Sequence, residues 1–168
     1  GDLHLGNIAL VDGAPLIFDC IEFSESLRWI DVLSDAAFLA MDLDDRGRRD
    51  LAHRFLSDYL QHRADYAGLA VLRFYRVYRA LVRAKVACIR LSQPGLADAE
   101  RSDLGAHVRH YLTLARNYTR PLPTPLIITY GLSGSGKTTV SDALISSGGG
   151  IRVRSDVERK RLFGLAPE

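Results

Sequence analysis

The sequence predicts an α/β protein overall: a β-hairpin and a mainly helical region, followed by the start of a P-loop domain built on a parallel sheet. Three observations carry this expectation. Two short apolar segments, Ile8 to Val11 and Leu16 to Phe18, flank the turn-rich Asp12-Gly13-Ala14-Pro15. Long stretches with apolar residues at helical spacing follow. Then Pro125 to Leu144 reads P-L-I-I-T-Y-G-L-S-G-S-G-K-T-T-V-S-D-A-L, a β-rich run, a Gly-rich loop and a helix-forming stretch in that order.

Each element has its own signal. The first two apolar runs and the turn between them form the hairpin. From Leu27 the pattern becomes helical, with Ile30, Leu33, Ala37 and Met41 on one face, until Asp44-Asp45-Arg46-Gly47 breaks it. Leu51, Phe55, Tyr59 and Leu60 mark a second helix that ends near Asp65 to Gly68. A third runs from Leu69 to Leu91, stopped by Ser92-Gln93-Pro94-Gly95. A fourth spans Asp98 to Tyr118, with Leu104, Val108, Tyr111, Leu112 and Ala115 as its apolar stripe. The prolines at 121, 123 and 125 cannot continue that helix and favour extended geometry, so residues 121–125 read as a stiff linker between a domain at 1–120 and one at 126–168.

Composition limits the functional classes. With 47% hydrophobic and 25% charged residues and a net charge of +2, the chain is expected to be a soluble, cytoplasmic protein that has no call on nucleic acid or an anionic membrane. No apolar run is long enough to span a bilayer. Cys20 and Cys88 lack metal-ligand spacing and are expected as reduced thiols. On the third helix Arg76, Arg79, Arg83 and Arg90 share one arc, expected to be a solvated face paired with carboxylates. Lys85, beside Phe74 and Tyr78 on the apolar side, is expected to snorkel or to meet a buried carboxylate. His107 and His110 read as ordinary helix residues.

The Gly-rich loop carries the strongest chemistry. Gly131, Gly136, Lys137 and Thr138 satisfy G-x-x-x-x-G-K-[ST], the P-loop pattern, with Ser133, Gly134, Ser135 and Thr139 completing the cradle. Glycines let successive backbone N–H groups turn toward an anion, and the following helix adds positive charge at its N-terminus. Lys137 would reach the β- and γ-phosphates of ATP, and the Thr138 hydroxyl would bind Mg²⁺.

The opening segment Gly1-Asp2-Leu3-His4-Leu5-Gly6-Asn7, followed by Leu16-Ile17-Phe18-Asp19, repeats a different phosphotransfer logic. An Asp, an Asn five positions on, a hairpin and a second Asp have the spacing of a kinase catalytic loop and its metal-binding Asp. Asp2 would accept the proton of an attacking hydroxyl, while Asn7 and Asp19 would hold Mg²⁺ against the ATP phosphates. This segment resembles the aminoglycoside phosphotransferase and choline kinase superfamily, whose signature is H-G-D-x-x-x-x-N with a later hydrophobic-Asp motif. The resemblance implies that residues 1–120 are a C-terminal lobe whose catalytic loop is braced by a further Asp, for which Asp31 and Asp35 are the candidates. Phe18-Asp19-Cys20 departs from the D-F-G of protein kinases, as members of that superfamily also do.

Beyond the linker, the chain resembles small P-loop kinases that phosphorylate metabolites or nucleic acid ends. Ile151 to Lys160 matches their second strand and following helix. The resemblance implies that Asp156 orients or deprotonates an acceptor hydroxyl and that Arg159 holds an anionic group; by its position Asp156 is equally a helix N-cap. Together the halves resemble fused bacterial proteins joining an aminoglycoside-phosphotransferase-like domain to a P-loop ATP-binding domain. The expected function is an ATP- and Mg²⁺-dependent phosphotransferase acting on a small-molecule hydroxyl, with the chain a fragment of both domains and a poor catalyst alone. The alternative is a nucleotide-binding regulatory module whose kinase-like half is a scaffold.

Overall fold

The computed structural model describes residues 1–121 and 123–166; Leu122 of the expected linker, Pro167 and Glu168 lie outside the described residues. Strands β1 (Ile8–Val11) and β2 (Ala14–Ile17) pair antiparallel, Ile8 opposite Ile17 and Val11 opposite Ala14. The register leaves a two-residue turn, Asp12 and Gly13, with φ of 50° and 80°. Positive φ at both positions matches the twist of the flanking strands, and an Asp-Gly pair tolerates it. Pro15 fits because β2 is an edge strand and owes no further ladder donor on its outer side.

The helices are α1 (Glu25–Arg28), α2 (Val32–Asp45), α3 (Arg49–Arg63), α4 (Leu69–Leu91), α5 (Asp98–Thr119), α6 (Lys137–Gly148) and α7 (Ser155–Leu162). Helix α2 is the hub. Phe38 and Met41 pack with Ala80 and Ala84 of α4 and with Tyr111, Leu114 and Ala115 of α5. On its other side Leu39, Ala40 and Leu43 pack with Ala52 and Leu56 of α3, and Leu3, Leu5 and Ile8 close over that cluster. The loop before the hairpin is therefore seated on the core.

Helix α4 reverses the expected orientation. Its interior face carries Ala80, Ala84 and Ala87 together with Arg79, whereas Phe74, Tyr78, Val86 and Lys85 are exposed. Small alanines permit close helix approach, and the arginines occupy the seams with defined partners. The Arg79 guanidinium lies 4.9 Å from the Phe38 ring centroid and its Nε donates to the Ser34 carbonyl at 3.2 Å. Only Arg90, paired with Glu100 at the surface, behaves as expected. On α5, Leu112 is exposed and Leu114 takes the interior position. His110 is not a plain surface residue, since its Nε2 meets Asp45 Oδ1.

Arg76 joins three helices. It pairs with Asp44 of α2, whose side chain is 3% exposed, and its guanidinium carbon lies 4.2 Å from the Tyr118 ring centroid. The Tyr118 hydroxyl donates to Asp44 Oδ2 at 2.8 Å, and burial pushes its pKa well above the usual phenol value. Removing Asp44 would leave the Arg76 charge without its carboxylate and the Tyr118 hydroxyl without its acceptor. Asp44→Ala is expected to destabilise the fold by about 3–5 kcal/mol, read as a lowered urea midpoint with an unchanged slope.

Past the linker the expected parallel sheet does not form. Among the described residues the only sheet is the β1–β2 hairpin, and Leu126 to Tyr130 and Ile151 to Arg154 carry no strand. Leu126, Ile128 and Tyr130 are 88%, 81% and 99% exposed. A parallel strand needs a neighbour for its ladder and helices on both faces, and these segments have neither. Instead α6 and α7 dock on α3. Ile145 and Val157 are buried, and Ile151 packs against the α2–α3 cluster. Ser57 Oγ accepts the Arg152 N–H at 3.1 Å, and the Tyr66 hydroxyl donates to Glu158 at 3.0 Å. The halves thus share an interface that the sequence did not reveal.

Candidate functional site

The hairpin explains how residues distant in sequence meet. Asn7 immediately precedes β1 and Asp19 follows Phe18 at the end of β2, so the register that pairs Ile8 with Ile17 sets them side by side. Phe18 N–H donates to the Asn7 carbonyl at 3.0 Å, extending the ladder. The Asn7 side chain, 6% exposed as a residue, donates through Nδ2 to the Asp19 carbonyl at 3.2 Å, the Asp2 carbonyl at 3.0 Å and Asp2 Oδ2 at 3.3 Å. Asp19 holds a left-handed φ of 55°, uncommon outside glycine. Asp2 and Asp19 line one open cleft of about 440 Å³ with Cys20, Ile21, Glu22 and Phe23. The three residues singled out from the sequence are brought together.

The loop that carries Asp2 is pinned from α2. Asp35 Oδ1 accepts the Leu3 N–H at 2.9 Å and Asp42 Oδ2 accepts the Leu5 N–H at 2.8 Å. Of the two expected braces, Asp35 serves and Asp31 does not. Asp31 instead caps α2 through the Leu33 N–H and accepts from the Tyr75 hydroxyl at 2.7 Å. Asp42, 1% exposed, is the brace that the sequence reading missed. Its signal was there: a carboxylate in the otherwise apolar face of α2 must be buried against a donor. Arg79 was also missed, and Asp35 and Asp2 offset part of the burial that lowers its pKa.

A magnesium ion would find few protein ligands here. Among the described residues no group of three or more His, Cys, Asp or Glu side chains could hold a metal. Mg²⁺ retains water and rarely has a full protein cage, so a single carboxylate, an amide oxygen and substrate phosphates would be the set to hold it. Asp19 lines the cleft and would supply the carboxylate, whereas Asn7 is 6% exposed with its amide nitrogen bonded to Asp2 and Asp19, so its side-chain oxygen is the one atom it would offer.

The P-loop has cradle geometry. Gly131, Gly134 and Gly136 have φ of 149°, 79° and 83°, which residues with a Cβ avoid. Gly136 is the N-cap of α6, and residues 131 to 136 are exposed. Lys137 folds back over the loop, its Nζ donating to the Gly131 and Leu132 carbonyls at 2.7 and 2.6 Å, with Ser135 Oγ 3.5 Å away. The ammonium therefore sits where the loop would surround an anion. Thr138 and Thr139 lie exposed in the first turn of α6. The residue types are those that would hold a nucleoside triphosphate, with the Thr138 hydroxyl as the group that would bind its metal.

Asp156 fits its expected role less well. It lies in the first turn of α7, whose N-cap is Arg154, so its side chain is not the cap. Arg154 grips it with Nη2 to Oδ2 at 2.6 Å and Nε to Oδ1 at 3.2 Å. The guanidinium holds the Asp156 carboxyl below the usual range, which makes it a weak proton acceptor and leaves an orienting role. Arg159 is exposed on the same helix.

The back end of α6 meets α3 at His53. Gly149, φ 72°, caps α6, and a Cβ there would lie 2.7 Å from His53 Cε1. Burial, and then the nearby Arg76 charge, push the His53 pKa below the ordinary histidine value. The unfolded chain therefore binds this proton more readily than the folded one. The stability it contributes is full above about pH 6.5 and is lost as pH falls through the lower folded value. Thermal melts below about pH 6.5 should decline less steeply for His53→Gln than for the parent protein.

Comparison with known proteins agrees with the geometry of the second half. Residues 126–168 match the family model of an AAA domain, which makes this segment P-loop and kinase-like, of the class that binds nucleotides. Over 164 residues the chain is 40% identical to uncharacterized proteins of Mycobacterium bovis and Mycobacterium tuberculosis, an alignment covering 96% of this chain. The chain spans 31% of the length of these relatives. No solved structure matches it. Among the described residues no helix is long and apolar enough to cross a membrane.

Proposed function

We propose that the full-length protein is an ATP- and Mg²⁺-dependent phosphotransferase acting on a small-molecule hydroxyl, with the hairpin cleft as one site and the P-loop as a second nucleotide site. The observation that carries the reading is the Asn7 side chain, which ties Asp2 to Asp19 at the mouth of one cleft. The aminoglycoside-phosphotransferase-like reading of residues 1–120 rests on this loop geometry; the family match supports residues 126–168 alone.

In this reading Asp2 accepts the proton of the acceptor hydroxyl as its oxygen bonds to the γ-phosphorus. The bond from that phosphorus to the β,γ-bridging oxygen breaks, and ADP leaves with the electron pair. A bound Mg²⁺ would supply charge neutralisation on the phosphates, with Asn7 and Asp19 as its protein ligands. Asp35 and Asp42 keep the Asp2 loop fixed, so little reorganisation is needed at the moment of transfer. At the P-loop, Lys137 would exchange its loop carbonyls for phosphate oxygens, and Asp156 and Arg159 would orient an acceptor.

The test is transfer from [γ-³²P]ATP by the full-length protein to pooled small hydroxyl compounds, with Asp2→Asn as control. Labelled product that disappears in the control supports the reading; equal labelling in both rejects it. A regulatory module is the second reading, favoured by one observation: the P-loop half docks on α3, which packs on the helix that braces the Asp2 loop. ATP binding with no Asp2-dependent transfer to any acceptor would select it.

A further inference from the structure

His4 stands inside the Asp2 loop, and no step above uses it. Its ring is wedged 5.2 Å from the Phe38 ring centroid, and its side chain is 16% exposed. The Gly6 N–H donates to His4 Nδ1 at 3.0 Å. In neutral imidazole one nitrogen accepts and the other donates, so this bond puts the ring proton on Nε2. Nε2 lies 3.5 Å from Asp2 Oδ2, longer than a formed hydrogen bond but close enough for a small ring rotation or approach to make one. Gly6 permits the arrangement, because a Cβ there would come within 2.8 Å of His4 Cε1.

We infer that His4 is a positioning residue for Asp2, its Nε2–H fixing the carboxylate so that one defined oxygen receives the acceptor proton. The inference rests on the reading of Asp2 as proton acceptor. Asn7 Nδ2 also donates to Oδ2, at 3.3 Å. With Asn7 bonded to Oδ2 and His4 Nε2 nearest the same oxygen, Oδ1 would be the oxygen that serves as base. Holding the tautomer through a backbone N–H keeps the donor aimed without a second charged group.

The two ring nitrogens can be separated by substitution. His4→Asn keeps an oxygen near the Nδ1 position, retaining the Gly6 acceptor, but has nothing at Nε2. His4→Gln places an amide N–H near Nε2. The measurement is Mg²⁺-dependent transfer of the γ-phosphoryl group of ATP to water, giving ADP and phosphate, by the full-length protein, counted as the rate lost in Asp2→Asn. His4→Asn is expected to lower kcat about 10- to 100-fold with KM for ATP and melting temperature little changed, and His4→Gln to restore most of kcat. Parental kcat in His4→Asn would overturn the inference and leave His4 as a loop cap. If the parent shows no Asp2-dependent transfer either to water or to the pooled hydroxyl compounds, the reading of the first site fails and this inference with it. Should His4→Asn fail to fold, NMR of the His4 ring decides: an Nε2–H whose ¹H and ¹⁵N shifts move in Asp2→Asn upholds the inference, and an Nε2–H unchanged in Asp2→Asn, or a ring protonated at Nδ1, overturns it.

Discussion

Asp2→Asn is expected to lower phosphoryl transfer at the hairpin cleft by about 10²- to 10⁴-fold, the usual contribution of a positioned proton acceptor. The amide keeps the shape and can still accept from Asn7, so the loop should hold its fold. Nucleotide affinity should change little, since the residues assigned to the phosphates and their metal are Asn7 and Asp19. A fall in kcat with an unchanged KM for ATP and an unchanged melting temperature is the expected pattern. Equal losses in affinity and turnover would move Asp2 from proton acceptor to nucleotide ligand.

Lys137→Ala should weaken ATP binding at the P-loop by about 100-fold or more, because charge on the β- and γ-phosphates would be left without its ammonium inside a loop of backbone donors. The effect should stay local. Lys137 opens α6, whereas the contacts that dock this helix, Ile145 and the Gly149 cap against His53, lie at its other end. Asp2-dependent transfer should therefore persist in Lys137→Ala. Titration calorimetry with a non-hydrolysable ATP analogue reads the affinity, and the product assay reads the persistence.

Much of the helical half was legible because its signals are local. The Asp12-Gly13 turn fixes the hairpin register, and the register brings Asn7 to Asp19 whatever else the chain does. The break at Asp44 to Gly47 and the stop after Leu91 fall where the sequence puts them. What failed were judgements of which face is buried. Helix α4 carries two candidate faces, and propensity could not reveal that the interior one would use alanines with arginines bonded to Asp44, Ser34 and Tyr111. The burial of Asp42 was legible from its place in an apolar face, but its partner was not, since that is a backbone N–H thirty-seven residues away. The expected strands at 126–130 and 151–154 depend on a sheet partner, and periodicity within a segment carries no information about one.

On the proposed function one polypeptide holds two separate nucleotide sites, one at the hairpin cleft and one at the P-loop. The most direct measurement is the number of Mg²⁺–ATP-analogue molecules bound at saturation by the full-length protein and by its Lys137→Ala variant. Two per chain are expected in the parent and one in the variant, the survivor lost on replacing Asn7 and Asp19. One molecule per chain in the parent and none in the variant would contradict it, leaving the P-loop as the sole nucleotide site and Asp2, Asn7 and Asp19 as a structural turn.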